Sequence, residues 1–111
     1  MNNKKVLIID DEQDFCMLMK RFFSPKKYDV YVAHTIEDGL NLLDEHQPDI
    51  VFLDNNLPDG NGWEKADFIL CNYPQTKLNL ISALNVAKQA HPSFRILEKQ
   101  MLLKELPKMF H

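Results

Sequence analysis

The sequence predicts an α/β fold with a five-stranded parallel sheet and helices on both faces. Three observations carry that reading. Apolar runs such as Val6-Leu7-Ile8-Ile9 and Ile50-Val51-Phe52-Leu53 are continuous rather than alternating, the pattern of strands buried on both sides. Between such runs lie longer stretches with apolar residues at helical spacing, so strand and helix alternate along the chain. Finally, the runs end in carboxylates, Asp10-Asp11 after one and Asp54 after the other, where open α/β sheets bind their ligands.

Lys5 to Asp10 reads as the first strand, rich in β-branched residues. A helix follows from about Glu12 to Phe23, with Phe15, Leu18, Met19, Phe22 and Phe23 on its inner face. Asp11, Glu12 and Asp14 suit its positive N-terminal end, and Ser24-Pro25 stops it. Tyr28 to Ala33 is the second strand. The second helix spans about Ile36 to Glu45, with Thr35 as N-cap, Asp38 three residues on, and Ile36, Leu40 and Leu43 as its stripe. Gly39 inside it costs about 1 kcal/mol against Ala, which points to close packing on the sheet. Gln47-Pro48-Asp49 breaks the chain before the central strand, which ends at Asp54. A third helix covers Gly62 to Asn72, with Trp63, Ala66, Ile69 and Leu70 inward. Leu78 to Ser82 is the fourth strand, in which Asn79 needs a buried partner. A short, polar fourth helix is expected over Asn85 to Gln89. Phe94 to Glu98 is the fifth strand. Lys99 follows, and Met101, Leu102, Leu103 and Leu106 carry a last helix that Pro107 should end or kink. With right-handed crossovers, five such units fit a flavodoxin-like three-layer sandwich of strand order 2-1-3-4-5.

Length and composition bound the function. A chain of 111 residues fits one domain with one core. A formal net charge of -3 lacks the basic footprint that nucleic acid requires. No apolar run approaches the ~20 residues that span a bilayer, and Val6–Ile9 is too short for a signal-peptide core. A cytoplasmic protein is expected, with no direct nucleic-acid or membrane partner. Cys16 and Cys71 have no metal-ligand spacing and read as buried reduced thiols. His34, His46, His91 and His111 show no ligand spacing either.

In the 2-1-3-4-5 order the first and third strands are neighbours. Asp10 and Asp11 then face Asp54 across the switch point. Converging carboxylates raise one another's pKa or recruit a cation, and an all-oxygen set suits Mg²⁺. Ser82 ends the fourth strand with a hydroxyl and Lys99 follows the fifth with an ammonium. Such a set suits phosphoryl transfer, with Asp54 as nucleophile. Singly, each residue has an ordinary explanation. Asp54 could begin a turn, Asp10-Asp11 could start a helix, Ser82 could merely end a strand, and Lys99 could be solvated. What counts is that all fall at strand ends along one sheet edge.

The ordered set resembles the receiver domain of two-component response regulators over nearly the whole chain, 1–111. The resemblance rests on Val6-Leu7-Ile8-Ile9-Asp10-Asp11-Glu12, Asp49-Ile50-Val51-Phe52-Leu53-Asp54, Leu57-Pro58-Asp59-Gly60-Asn61-Gly62, Ile81-Ser82-Ala83 and Lys99. It implies that Asp54 accepts a phosphoryl group from the histidine of a sensor kinase or phosphotransfer protein. It implies Mg²⁺ held by Asp11, Asp54 and the backbone carbonyl of Asn56, with Asp10 assisting partly through water. Ser82 would turn to a phosphoryl oxygen and Lys99 would pair with the acyl phosphate. The phosphorylated state would alter a face read by a downstream protein or fused output domain. Such a domain catalyses at most its own aspartyl phosphorylation and dephosphorylation. Two positions depart from the family: Ile96 stands where Tyr or Phe is usual, and Gln100 where Pro is usual. Phe94 is aromatic but two residues out of register, and 82–99 is short. These departures imply an altered output face, and they favour an alternative in which the chain docks a partner without phosphate.

Overall fold

A computed structural model describes residues 3–83 and 94–110. Its main sheet has strands β1 (Lys4–Ile9), β2 (Tyr28–Ala33), β3 (Ile50–Asp54), β6 (Lys77–Ser82) and β7 (Phe94–Glu98) in the order β2-β1-β3-β6-β7, every pairing parallel. Two-residue strands β4 (Asn56–Leu57) and β5 (Gly60–Asn61) form an antiparallel hairpin in the loop after β3. Counting the main sheet alone, the order is the expected 2-1-3-4-5.

Period-two alternation on the central strands divides the core between two faces. Leu7, Ile9, Val51 and Leu53 face helices α2 (Ile36–His46) and α3 (Ala66–Asn72), meeting Ile36, Leu43, Ala66 and Ile69. Val6, Ile8, Ile50 and Phe52 face α1 (Gln13–Phe23) and α4 (Lys99–Met109), meeting Phe15, Met19, Phe23, Leu102 and Leu106. All five residues of β3 are buried, as the continuous apolar run requires. Thr35 caps α2, its side chain accepting from the Asp38 amide at 3.1 Å. A Cβ on Gly39 would lie 2.6 Å from Cδ1 of Ile9, so any larger residue would have to displace that buried side chain. Asn79 Nδ2 donates to the Val51 carbonyl at 3.3 Å and the Lys77 carbonyl at 3.4 Å, supplying the buried partners its position demands. No helix among the described residues is long and apolar enough to cross a membrane.

Several expectations are corrected. Leu18 is exposed rather than inward, because Phe15, Met19 and Phe23, spaced by four, set the buried stripe and leave it on the flank. Phe22 is only partly buried. Residues 62–65 form a 3-10 turn ahead of α3 rather than its first turn. Pro107 lies inside α4 and does not end it. Its fixed φ is helical, and the turn closes beyond it, with the Phe110 amide donating to the Leu106 carbonyl at 2.9 Å. Cys16 is buried but Cys71 is exposed; both are free thiols. The expected helix over Asn85 to Gln89 lies outside the described residues.

Candidate functional site

The site forms where β1 and β3 release the chain at the same sheet edge. Asp10 directly follows β1 and its amide still pairs with the Ala33 carbonyl at 2.9 Å. One carboxylate oxygen accepts from the Glu12 amide at 2.8 Å, which turns the side chain inward. Asp11 remains exposed at the mouth. Asp54 ends β3 and is 4% exposed. Carboxylate oxygens of Asp10, Asp11 and Asp54 lie within 4.8 Å of one another.

Lys99, the first residue of α4, is no solvated lysine: only 6% of it is exposed. The preceding Glu98 fixes its backbone by accepting from the amides of Gln100 and Met101, each at 3.1 Å. Its Nζ lies 2.7 Å from Asp10 Oδ2, 3.3 Å from Glu12 Oε2 and 3.4 Å from Asp54 Oδ1. Ser82 ends β6 and, with Lys99, Asp54 and Asn56, lines a cleft of about 620 Å³. All six residues singled out in the sequence therefore meet at one rim.

The loop carrying Asn56 is tied on three sides. The Asn55 amide donates to the Ile81 carbonyl at 3.2 Å, and the Gly62 amide to the Asn55 carbonyl at 2.9 Å. Asp59 accepts from the amides of Ile36 at 2.8 Å and Glu37 at 3.1 Å, bracing the hairpin against the start of α2. Those amides hold its carboxyl below the usual range.

Electrostatics follow from burial. Desolvation pushes the Asp54 carboxyl up to about 6, reinforced by the charge of Asp10 and opposed by Lys99. Burial raises Asp10 as well, against its contacts with Lys99 and the Glu12 amide. Burial works against the Lys99 ammonium too. Its contact with Asp10 and the charges of Asp10 and Asp54, aided by Glu12, outweigh that and lift it above the ordinary value. One ammonium thus serves several carboxylates, two of which resist ionising. The donor set is all oxygen and the charge excess is negative, so the residues fit a hard divalent cation.

Some neighbours were not legible as site residues. Glu12 looks like an ordinary first-turn acid, and only the fold brings it to Lys99. His34, set aside for lack of ligand spacing, donates from Nδ1 to the Asp10 carbonyl at 2.9 Å. Trp63, expected in the core, is half-buried and aims its Nε1–H at the carbonyls of Leu53 and Ile81.

This sheet order and acidic rim define a response regulator receiver domain. The chain belongs to that family, whose model matches residues 6–109. Over 93 residues it is 33% identical to the response regulator protein PilR of Pseudomonas aeruginosa, an alignment covering 81% of this chain and 21% of that protein. The chain therefore spans about a fifth of the length of that relative. Among solved structures it is similar to the receiver domain of a Luxo repressor protein from Vibrio parahaemolyticus, with a TM-score of 0.81, 23% identity, and coverage of 96% of this chain and 86% of that one. It is also similar to the response regulator TrrA of Thermotoga maritima in complex with Mg²⁺-BeF, with a TM-score of 0.73, 23% identity, and coverage of 96% and 99%. Receiver domains of response regulators work in phosphorylation-based two-component signalling, and this chain is one of them.

Proposed function

We propose that residues 1–111 form one phosphoacceptor receiver, in which Asp54 takes a phosphoryl group from the phosphohistidine of a sensor kinase or phosphotransfer protein. The observation that carries this is the buried Asp54 carboxylate, 3.4 Å from Lys99 Nζ in the cleft that Ser82 also lines. Asp54 attacks phosphorus, the new O–P bond forms as the P–N bond breaks, and the imidazole keeps the electron pair and gains a proton. Lys99 pairs with the phosphoryl oxygens and the Ser82 hydroxyl donates to one of them. Asp11, Asp54 and the Asn56 carbonyl would hold Mg²⁺, with Asp10 assisting. When bound, the ion neutralises charge on the phosphoryl oxygens. The TrrA complex with Mg²⁺-BeF supports that assignment by analogy of fold. A cytoplasmic setting, and a downstream protein or fused output domain as reader of the phosphorylated state, belong to the same proposal.

Incubation with Mg²⁺ and a small acyl phosphate should add the mass of one phosphoryl group to the intact protein. Asp54→Asn should abolish the addition. A folded wild-type protein that gains no mass would defeat the proposal. Ile96 in β7 and Gln100 in α4, where the family usually has an aromatic ring and a proline, favour a second reading as a docking module that needs no phosphate. Partner affinity unchanged by phosphorylation and by Asp54→Asn would select it.

A further inference from the structure

Two strand ends must be held in register for the proposed reaction. Asp54 supplies the attacking oxygen from β3 and Ser82 answers from β6, and each side chain is aimed by the peptide plane before it. The carbonyls of those planes belong to Leu53 and Ile81. The Trp63 indole Nε1–H points at both, 3.3 Å from the Leu53 oxygen and 3.2 Å from the Ile81 oxygen. The Ile81 carbonyl also accepts from the Asn55 amide at 3.2 Å, so the same oxygen ties in the loop. The Asn61 side chain accepts from the Trp63 amide at 3.0 Å and fixes the ring's own backbone. Next to it, Gly62 lies so close to Asp54 that a Cβ would overlap the Asp54 carbonyl oxygen.

We infer that Trp63 is a positioning residue for phosphoryl transfer, its indole N–H clamping the peptide planes that aim Asp54 and Ser82. The ring does not line the cleft, so it acts through those two residues and not on substrate. This rests on the phosphoacceptor reading. A residue that merely fills the core would work through ring volume alone, whereas a clamp depends on the N–H. Trp63→Phe keeps an aromatic ring and removes the donor.

The test measures phosphoryl uptake against concentration of a small acyl phosphate at saturating Mg²⁺, by intact mass, for wild type and Trp63→Phe. Expected is a roughly five-fold lower maximal rate, about 1 kcal/mol, with the half-saturating donor concentration and thermal midpoint little changed. A maximal rate equal to wild type overturns the inference, as does a loss confined to half-saturation. Trp63 is the only tryptophan, so its Nε1–H gives a single assignable indole resonance in the wild-type protein. Slow exchange of that proton with solvent is expected, and exchange at the rate of a free indole would overturn the clamp even if the variant does not fold. A wild-type protein that takes up no phosphoryl group defeats the phosphoacceptor reading first and the inference with it. A wild-type protein that takes up the phosphoryl group, with Trp63→Phe matching its maximal rate, defeats only the inference.

Discussion

Burial and the charge of Asp10, opposed by an ammonium that Lys99 shares among Asp10, Glu12 and Asp54, set how Asp54 responds to pH. The folded carboxyl sits at about 6, above its ordinary 3.8, so the folded state binds the proton more tightly than the unfolded chain. The stability due to that proton is full below 3.8 and is lost as pH rises through about 6. Above that, ionised Asp54 costs the metal-free protein up to about 3 kcal/mol. Asp54→Asn removes the cost. In chelator at pH 7.5 the variant should resist urea better than wild type by about 1–3 kcal/mol, and the advantage should shrink towards pH 4.5. Saturating Mg²⁺ should close the gap by stabilising the wild type. Urea melts at both pH values decide it, and a variant weaker than wild type at pH 7.5 would refute the electrostatic account.

At the scale of elements, the turn at 62–65 matters more than its length suggests. Gly62 lets the chain leave the hairpin hard against the Asp54 carbonyl. Gly62→Ala must push either the turn or the end of β3 aside. Backbone cannot yield as a side-chain tip can, so a loss of about 1–3 kcal/mol is expected, together with weaker Mg²⁺ binding by calorimetry. Normal stability and normal metal affinity would show that the turn is free to shift. Elements like this mark the limit of what the sequence discloses. The strands were legible because burial on both faces writes continuous apolar runs, as in Ile50–Asp54. Asp10, Asp11, Asp54, Ser82 and Lys99 were legible because strand ends have defined places in the sheet. Leu18 misled because a helical stripe tolerates one more apolar residue on its flank. Pro107 misled because the helix continues beyond it to Met109, and the Phe110 amide still donates to the Leu106 carbonyl. The contacts of Trp63, Glu12 and Asp59 join residues far apart in sequence through hydrogen bonds and ion pairs, which no periodicity records.

Across the whole molecule, the two cores share the same strands. Leu7 and Ile9 belong to one face while Val6 and Ile8 belong to the other; β3 divides its side chains likewise. Neither face can come apart while the other keeps its strands, so the domain should unfold as one cooperative unit. Trp63 packs on the α2–α3 face and reports from that side, whereas far-ultraviolet circular dichroism averages over the whole chain. Phe52 lies on the opposite face, fully buried, its ring 6.0 Å from that of Phe23 and 6.2 Å from that of Phe110. Phe52→Ala should cost about 3–5 kcal/mol, a large share of the 5–15 kcal/mol that holds a typical domain. If the cores are one unit, that loss must appear in Trp63 fluorescence although Phe52 and Trp63 belong to opposite faces of the sheet. Fluorescence and dichroism midpoints in urea should fall together, with a single transition in each. A variant whose tryptophan signal keeps its wild-type midpoint while dichroism drops would mean that the faces unfold separately. Binding energy gained at the acidic rim would then stabilise one layer instead of the fold.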